Sequence, residues 1–242
     1  MSKVIVITGA GSGLGKTLAK RFITDGDSVV VMGRSLEKLE AVVAELGERA
    51  VAISCDVGVP QSVKAAFAEV EKQFSKIDVL INNAALVTHG AFADVSDDDI
   101  VDSFHTNAIG PMLCSKAAVA MMGRGGQIFN VSSGAVDNNY PGLSIYASSK
   151  TALERFSNAI YDELQPQGIC VTIVRCGQMI ESMDVWENDP AIVALREKAL
   201  ADGWDPRDRP SSTFASVAEA FRALIDLPPD LKAASITLRP SA

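Results

Sequence analysis

Tyr146 and Lys150 stand four residues apart in the run Tyr146-Ala147-Ser148-Ser149-Lys150. On a helix that spacing puts both side chains on one face, the phenol beside the ammonium. A free tyrosine titrates at about 10, too high for ready proton exchange at neutral pH. A neighbouring cation stabilises the phenolate and lowers that value, which makes the pair a general acid/base. The same spacing is also common on exposed helix faces, so its meaning depends on its company.

A second group of residues suits nucleotide chemistry. Thr8-Gly9-Ala10-Gly11-Ser12-Gly13-Leu14-Gly15 follows the apolar run Val4–Thr8 and opens an amphipathic stretch. In a strand–turn–helix, glycines let the backbone approach a pyrophosphate, and the helix N-terminus offers N–H donors and positive potential. Gly9, Gly11, Ser12, Gly13, Leu14 and Gly15 are therefore candidate cofactor contacts; the other reading is a turn that only packs helix on sheet. At the end of the second strand an acidic side chain would hold a ribose 2′-hydroxyl and repel a 2′-phosphate. Here that place is Gly33, followed by Arg34. Glycine removes the repulsion and a guanidinium can pair with a phosphate through two hydrogen bonds. The pair favours NADP(H) and leaves NAD(H) open.

The elements that must position these residues alternate along the chain. Expected strands are Val4–Thr8, Ser28–Met32, Val51–Ser54, Val79–Ile81, Gln127–Val131, Cys170–Val174 and Ser235–Arg239. Expected helices are Leu14–Asp25, Leu36–Leu46, Pro60 to about Phe74, Asp97–Met122, Ile145–Leu164 and Phe214–Ile225. Strict βα alternation calls for a parallel sheet covered by helices on both faces, with right-handed crossovers. The expected fold class is α/β: a single-domain, Rossmann-type, doubly wound parallel sheet of about seven strands, with a ligand crevice at the strands' carboxyl ends. A chain of 242 residues suits one such domain.

Composition excludes several classes. Hydrophobic residues make up 48% and charged residues 21%, as in an ordinary globular domain. A net charge of −8 with dispersed acids argues against a nucleic-acid or anionic-membrane surface. No apolar run approaches the roughly 20 residues that span a bilayer. Met1-Ser2-Lys3-Val4 leads directly into a strand, without room for a signal peptide. Cys55, Cys114, Cys170 and Cys176 show no CxxC spacing and read as buried thiols of a reducing compartment. The expected location is the cytoplasm. His89 and His105 lack metal-ligand spacing, and no metal is expected.

In order and spacing the motifs resemble the short-chain dehydrogenase/reductase family. The glycine run has the family's TGxxxGxG form, and Tyr146/Lys150 its YxxxK. Asn130-Val131-Ser132-Ser133-Gly134 places Ser133 13 residues before Tyr146, the register of the family's catalytic serine. The resemblance implies that the Ser133 hydroxyl holds the substrate oxygen and that Lys150 and Tyr146 also contact the cofactor. Asn107, in Asn107-Ala108-Ile109-Gly110-Pro111, falls at the family's fourth catalytic residue. There the resemblance implies a water held at a freed helix carbonyl and linked to Lys150; a simple helix kink is the other reading. Asp56-Val57 matches the adenine-contacting pair. Asn82-Asn83-Ala84-Ala85 matches the NNAG segment, with Ala85 in place of the usual glycine, which implies contacts at Asn83 and Ala84; the other reading is a strand-end turn, and at least one asparagine is expected to be structural.

The chain also departs from that pattern. Ser12 stands where many NADP(H)-using members carry a basic residue. The PG-x-x-x-T segment becomes Cys176-Gly177-Gln178-Met179-Ile180-Glu181-Ser182, with Gly177 and Met179 still in register for the carboxamide. A carboxylate repels a diphosphate, so Glu181 is expected to point away or Ser182 to replace it. Residues 181–212 fall at the family's substrate lid; Met183, Trp186 and Trp204 either form an apolar pocket or anchor the lid. The ending Leu238-Arg239-Pro240-Ser241-Ala242 lacks the VDGG-like tail.

These readings converge on hydride transfer between NADP(H) and a small ketone, aldehyde or secondary alcohol, with Asn107, Ser133, Tyr146 and Lys150 catalytic. By resemblance the chain forms a homodimer or homotetramer through helices near 97–122 and 145–164. Two rivals stand beside this: a non-enzymatic NAD(P)-binding regulatory protein, and an isomerase, epimerase or dehydratase that retains its cofactor.

Overall fold

The computed structural model describes residues 2–182, 193, 197, 200, 201, 205 and 208–241. Met183, Trp186 and Trp204, expected in the lid, lie outside the described residues. Seven strands form one parallel sheet in the order β3-β2-β1-β4-β5-β6-β7. They are β1 (Val4–Thr8), β2 (Ser28–Gly33), β3 (Ala50–Ser54), β4 (Val79–Asn82), β5 (Gln127–Ser133), β6 (Cys170–Cys176) and β7 (Ser235–Leu238).

The strands from β1 to β6 bury residues on both faces because the sheet is covered on both faces. Along β1, Ile5 and Ile7 enter one core while Val6 enters the other. The first core is closed by α1 (Gly13–Thr24), α2 (Leu36–Leu46) and α7 (Phe214–Ile225). Leu18 and Phe22 of α1 and Phe221 of α7 are fully buried there, Phe221 lying 5.7 Å from the ring of Phe129. The second is closed by α3 (Pro60–Gln73), α5 (Gly110–Val119) and α6 (Ser144–Leu164), through Phe67, Val70, Cys114 and Ala118 among others. All four cysteines are buried and unbridged.

The helix expected over Asp97–Met122 is instead three pieces. It comprises α4 (Asp97–Phe104), a π turn over His105–Ile109, and α5, which ends at Val119. Pro111 is the physical reason for the break. It has no N–H to give to the carbonyl of Asn107 four residues back, and its ring clashes with that carbonyl in a regular helix. Strands β5 and β6 also run two residues past their expected ends, pairing Ser133 with Cys176. Cys176 pairs with Leu238 on its other side. A proline there would withhold a ladder donor; cysteine does not. No helix among the described residues is long and apolar enough to cross a membrane.

Candidate active site

Strand order reverses between β1 and β4, and there the carboxyl ends of the strands open a cavity of about 1740 Å³. Its wall begins with the glycine turn: Gly9, Gly11, Ser12, Gly13 and Leu14 all line it. Gly9 takes φ +67°, and a Cβ there would lie 2.8 Å from the Cα of Ala84. Gly15 does not line the cavity. A Cβ on it would stand 2.5 Å from the Gly9 carbonyl oxygen and 2.7 Å from Asn83 Nδ2, so its role is close packing of α1 on the turn. Helix α1 starts at Gly13 with no side-chain cap and no acid in its first turn, leaving its positive end toward the cavity.

Asn83 and Ala84 line the cavity, but the Asn83 side chain is already committed. Its Nδ2 donates to the carbonyls of Thr8 at 2.9 Å and Gly9 at 3.3 Å. The Thr8 hydroxyl in turn accepts from the backbone of Asn83 and Ala84, each at 3.0 Å. Asn83 thus fastens the turn. Asn82 is buried in the sheet, donating to Asn130 Oδ1 at 2.8 Å and to Ser115 Oγ at 3.1 Å. Both asparagines have structural work, one more than the turn reading requires.

Gly33, the last residue of β2, and Arg34 line the same cavity, with Arg34 exposed. Ser35 and Lys38, at the start of α2, line it as well and were missed from sequence. Their signal was present: both lie in the cap and first turn of the helix that Arg34 introduces. Asp56 and Val57 line the wall beside them; Asp56 Oδ1 accepts from Gly58 N at 3.0 Å, closing a local turn.

Ser133, Tyr146 and Lys150 meet at the other end. Lys150 is buried, and its Nζ donates to the Val131 carbonyl at 2.8 Å while lying 6.0 Å from the Tyr146 ring centroid. Burial lowers its pKa to about 8, against the opposing pull of Cys176 and Glu154. Tyr146 is half-buried as a residue, yet its phenol is enclosed enough that desolvation pushes its pKa up to about 12. The Ser133 hydroxyl, close enough to hydrogen-bond the phenol, offsets part of that rise. Desolvation is thus the largest influence on the phenol in the protein without cofactor.

Asn107 does not line the cavity; it is fully buried in the π turn. Its Oδ1 accepts from Leu86 N at 2.8 Å, and its Nδ2 donates to Leu86 O at 2.7 Å and Ser149 Oγ at 2.9 Å. Ser149 Oγ donates to the Tyr146 carbonyl at 2.7 Å. The side chain therefore ties the segment after β4 to the helix that carries Tyr146.

Gly177, Met179 and Ser182 line the cavity from the segment after β6. Glu181 points elsewhere, accepting from the backbone N of Phe214 with both oxygens at 3.0 and 3.1 Å. A carboxylate at the start of α7 suits the helix dipole and stays clear of the cavity wall. Phe214 then packs its ring 3.7 Å from where a Cβ on Gly13 would sit. Cys176 is buried, and desolvation pushes its thiol up to about 12, which disfavours the thiolate. His89 and His105 both reach the cavity, and among the described residues no cluster of His, Cys, Asp or Glu suits a metal ion.

The glycine turn, the open end of α1 and the tight approaches at Gly9 and Gly15 fit a dinucleotide. The family described as short chain dehydrogenase matches residues 3–189. Human 3-oxoacyl-[acyl-carrier-protein] reductase is 34% identical over 179 residues, covering 73% of this chain and 76% of its own. A 3beta-hydroxysteroid dehydrogenase of Mediterraneibacter gnavus is 33% identical over 213 residues, covering 85% of this chain and 76% of its own. The crystal structure of a short-chain dehydrogenase from Streptomyces avermitilis superposes with TM-score 0.82 at 28% identity, covering 98% of this chain and 88% of that one. This chain belongs to the short-chain dehydrogenase/reductase family, and is an oxidoreductase acting on CH–OH and C=O groups.

Proposed function

We propose that the protein exchanges a hydride between NADP(H) and a small ketone, aldehyde or secondary alcohol. The observation that carries this reading is one cavity bordered by Ser133, Tyr146 and Lys150 at one end and by the glycine turn and Arg34 at the other. When bound, the nicotinamide cofactor would supply or accept the hydride. Ser133 donates a hydrogen bond to the substrate oxygen and orients the carbonyl. Tyr146 delivers a proton to that oxygen in reduction and removes it in oxidation. Lys150 holds a cation beside the phenol and a donor toward the ribose. Gly9, Gly11, Ser12, Gly13 and Leu14 cradle the diphosphate, Asp56 and Val57 flank the adenine, and Gly177 and Met179 offer backbone to the carboxamide.

NADP(H) is preferred because Arg34 is exposed at the cavity wall with no acidic residue at position 33 to oppose a 2′-phosphate. Residues 181–212 serve as the substrate cover. Its two ends are joined by Ser212 N donating to Gln178 O and Ile180 N to Ser212 O, each at 3.0 Å. The test is a carbonyl panel followed at the NADPH absorbance band, with NADH in parallel. Tyr146→Phe should lose about 100-fold or more in turnover while NADPH binding persists. Wild-type turnover in that variant would overturn the assignment, and turnover without net absorbance change would favour a retained-cofactor isomerase.

A further inference from the structure

Behind the catalytic pair lies a chain of charged groups that the reaction as written does not use. Glu154 follows Lys150 by one further helical turn, so Tyr146, Lys150 and Glu154 share a face of α6. Glu154 is buried, at 7% exposure. It receives the guanidinium fork of Arg175, with Nε–Oε1 at 2.7 Å and Nη2–Oε2 at 2.5 Å. Its Oε1 also accepts from Ser132 Oγ at 2.6 Å. Arg175 lies opposite Ser132 in the β5–β6 pairing, one residue before Cys176. Its remaining nitrogen, Nη1, reaches Asp137 Oδ2 at 3.3 Å. Asp137 closes the short 3₁₀ turn Gly134–Val136 that starts from Ser133. The residues after it, Asn138, Asn139, Tyr140 and Pro141, line the cavity.

We propose that Glu154, Arg175 and Asp137 form a positioning chain that holds Ser133 and the 134–143 segment in register with Tyr146 and Lys150; the inference rests on the catalytic reading above. Successive residues of a strand face opposite ways, so gripping Ser132 from behind fixes the direction of Ser133. The same carboxylate grips β6 just before Gly177, so one group on α6 sets both strand ends. A partly buried ion pair is a poor way to gain stability, since apolar replacement of both partners is often neutral or better. What the pair does supply is fixed geometry, because the planar fork admits one docking direction. Glu154 additionally favours the charged form of Lys150.

The decisive test uses single and double variants of the full chain. Glu154→Gln should lower kcat by about 10- to 100-fold with little change in KM. Asp137→Asn, at the exposed end, should act mainly on KM, raising it about 2- to 5-fold. Glu154→Met with Arg175→Met together removes both charges and should keep the fold. Under the proposal its kcat stays low, and amide exchange over 134–143 speeds up in the protein without cofactor. Wild-type kcat and wild-type exchange protection in the double variant would overturn the proposal, and they decide the matter even if the single variants fail to fold. A wild-type protein that turns over no carbonyl would instead sink the functional reading, while the exchange measurement would still report on the tether.

Discussion

At the residue scale, Lys150 and Tyr146 store opposite pH dependences in the fold. Lys150 falls from its ordinary 10.5 to about 8 through burial. Between those values the unfolded chain holds a proton that the folded chain has released, so stability rises with pH across that window. Tyr146 rises from 10.0 to about 12. From 10 to 12 the folded chain keeps a proton that the unfolded chain has lost, and stability falls there. Urea titrations of wild type and Lys150→Met should therefore diverge from about pH 8. The wild type should gain on the variant by up to roughly 3 kcal/mol as pH approaches 10.5. A pH-independent difference would mean that Lys150 remains charged in the fold. Both shifts have one physical cause, the desolvation of the phenol and the ammonium by the packed surroundings of the pair.

At the scale of elements, the glycine turn is held from outside as much as from within. Asn83 Nδ2, just past β4, donates to the carbonyls of Thr8 and Gly9, the Thr8 hydroxyl accepts from the backbone of Asn83 and Ala84, and α1 reaches the turn only because Gly15 has no side chain. Gly15→Ala would drive a Cβ to 2.5 Å from a carbonyl oxygen that is part of the backbone and cannot swing aside. We expect it to cost about 1–3 kcal/mol in urea denaturation and to weaken NADPH binding. Stability and affinity equal to wild type would show that α1 can shift without disturbing the turn. Glu181 shows the same economy, fixing the start of α7 through Phe214 N.

At the scale of the whole molecule, the end opposite the cavity is closed by charge. Arg222 of α7, with its side chain 11% exposed, pairs with Asp27 at 2.7 Å and with Asp25 at 3.7 Å, both just beyond α1, and with Asp226 at 2.5 Å. Asp27 is more buried still and also accepts from Lys3 N at 2.9 Å. Arg222→Met would leave Asp27 enclosed without its partner, at a cost of about 3–5 kcal/mol by urea denaturation. A loss below 1 kcal/mol would mean that water reaches Asp27 in the variant. The alternation of apolar runs with amphipathic stretches already determined, from sequence alone, a parallel sheet with helices on both faces. Contiguous motifs also carried the glycine turn, Gly33-Arg34, Ser133 and the Tyr146/Lys150 pair, because a strand end or a helix face is a local property of the chain. Other features waited on the tertiary structure. The docking of Glu154 on Arg175 depends on which strands lie side by side and in what register. The capture of Phe214 N by Glu181 links positions 33 residues apart. The commitment of Asn83 to the turn joins β4 to β1 across 75 residues. The raised pKa of Tyr146 belongs with these, since desolvation is a property of the surroundings. Spacing shows which side chains share a face, and only the packed fold decides what that face meets.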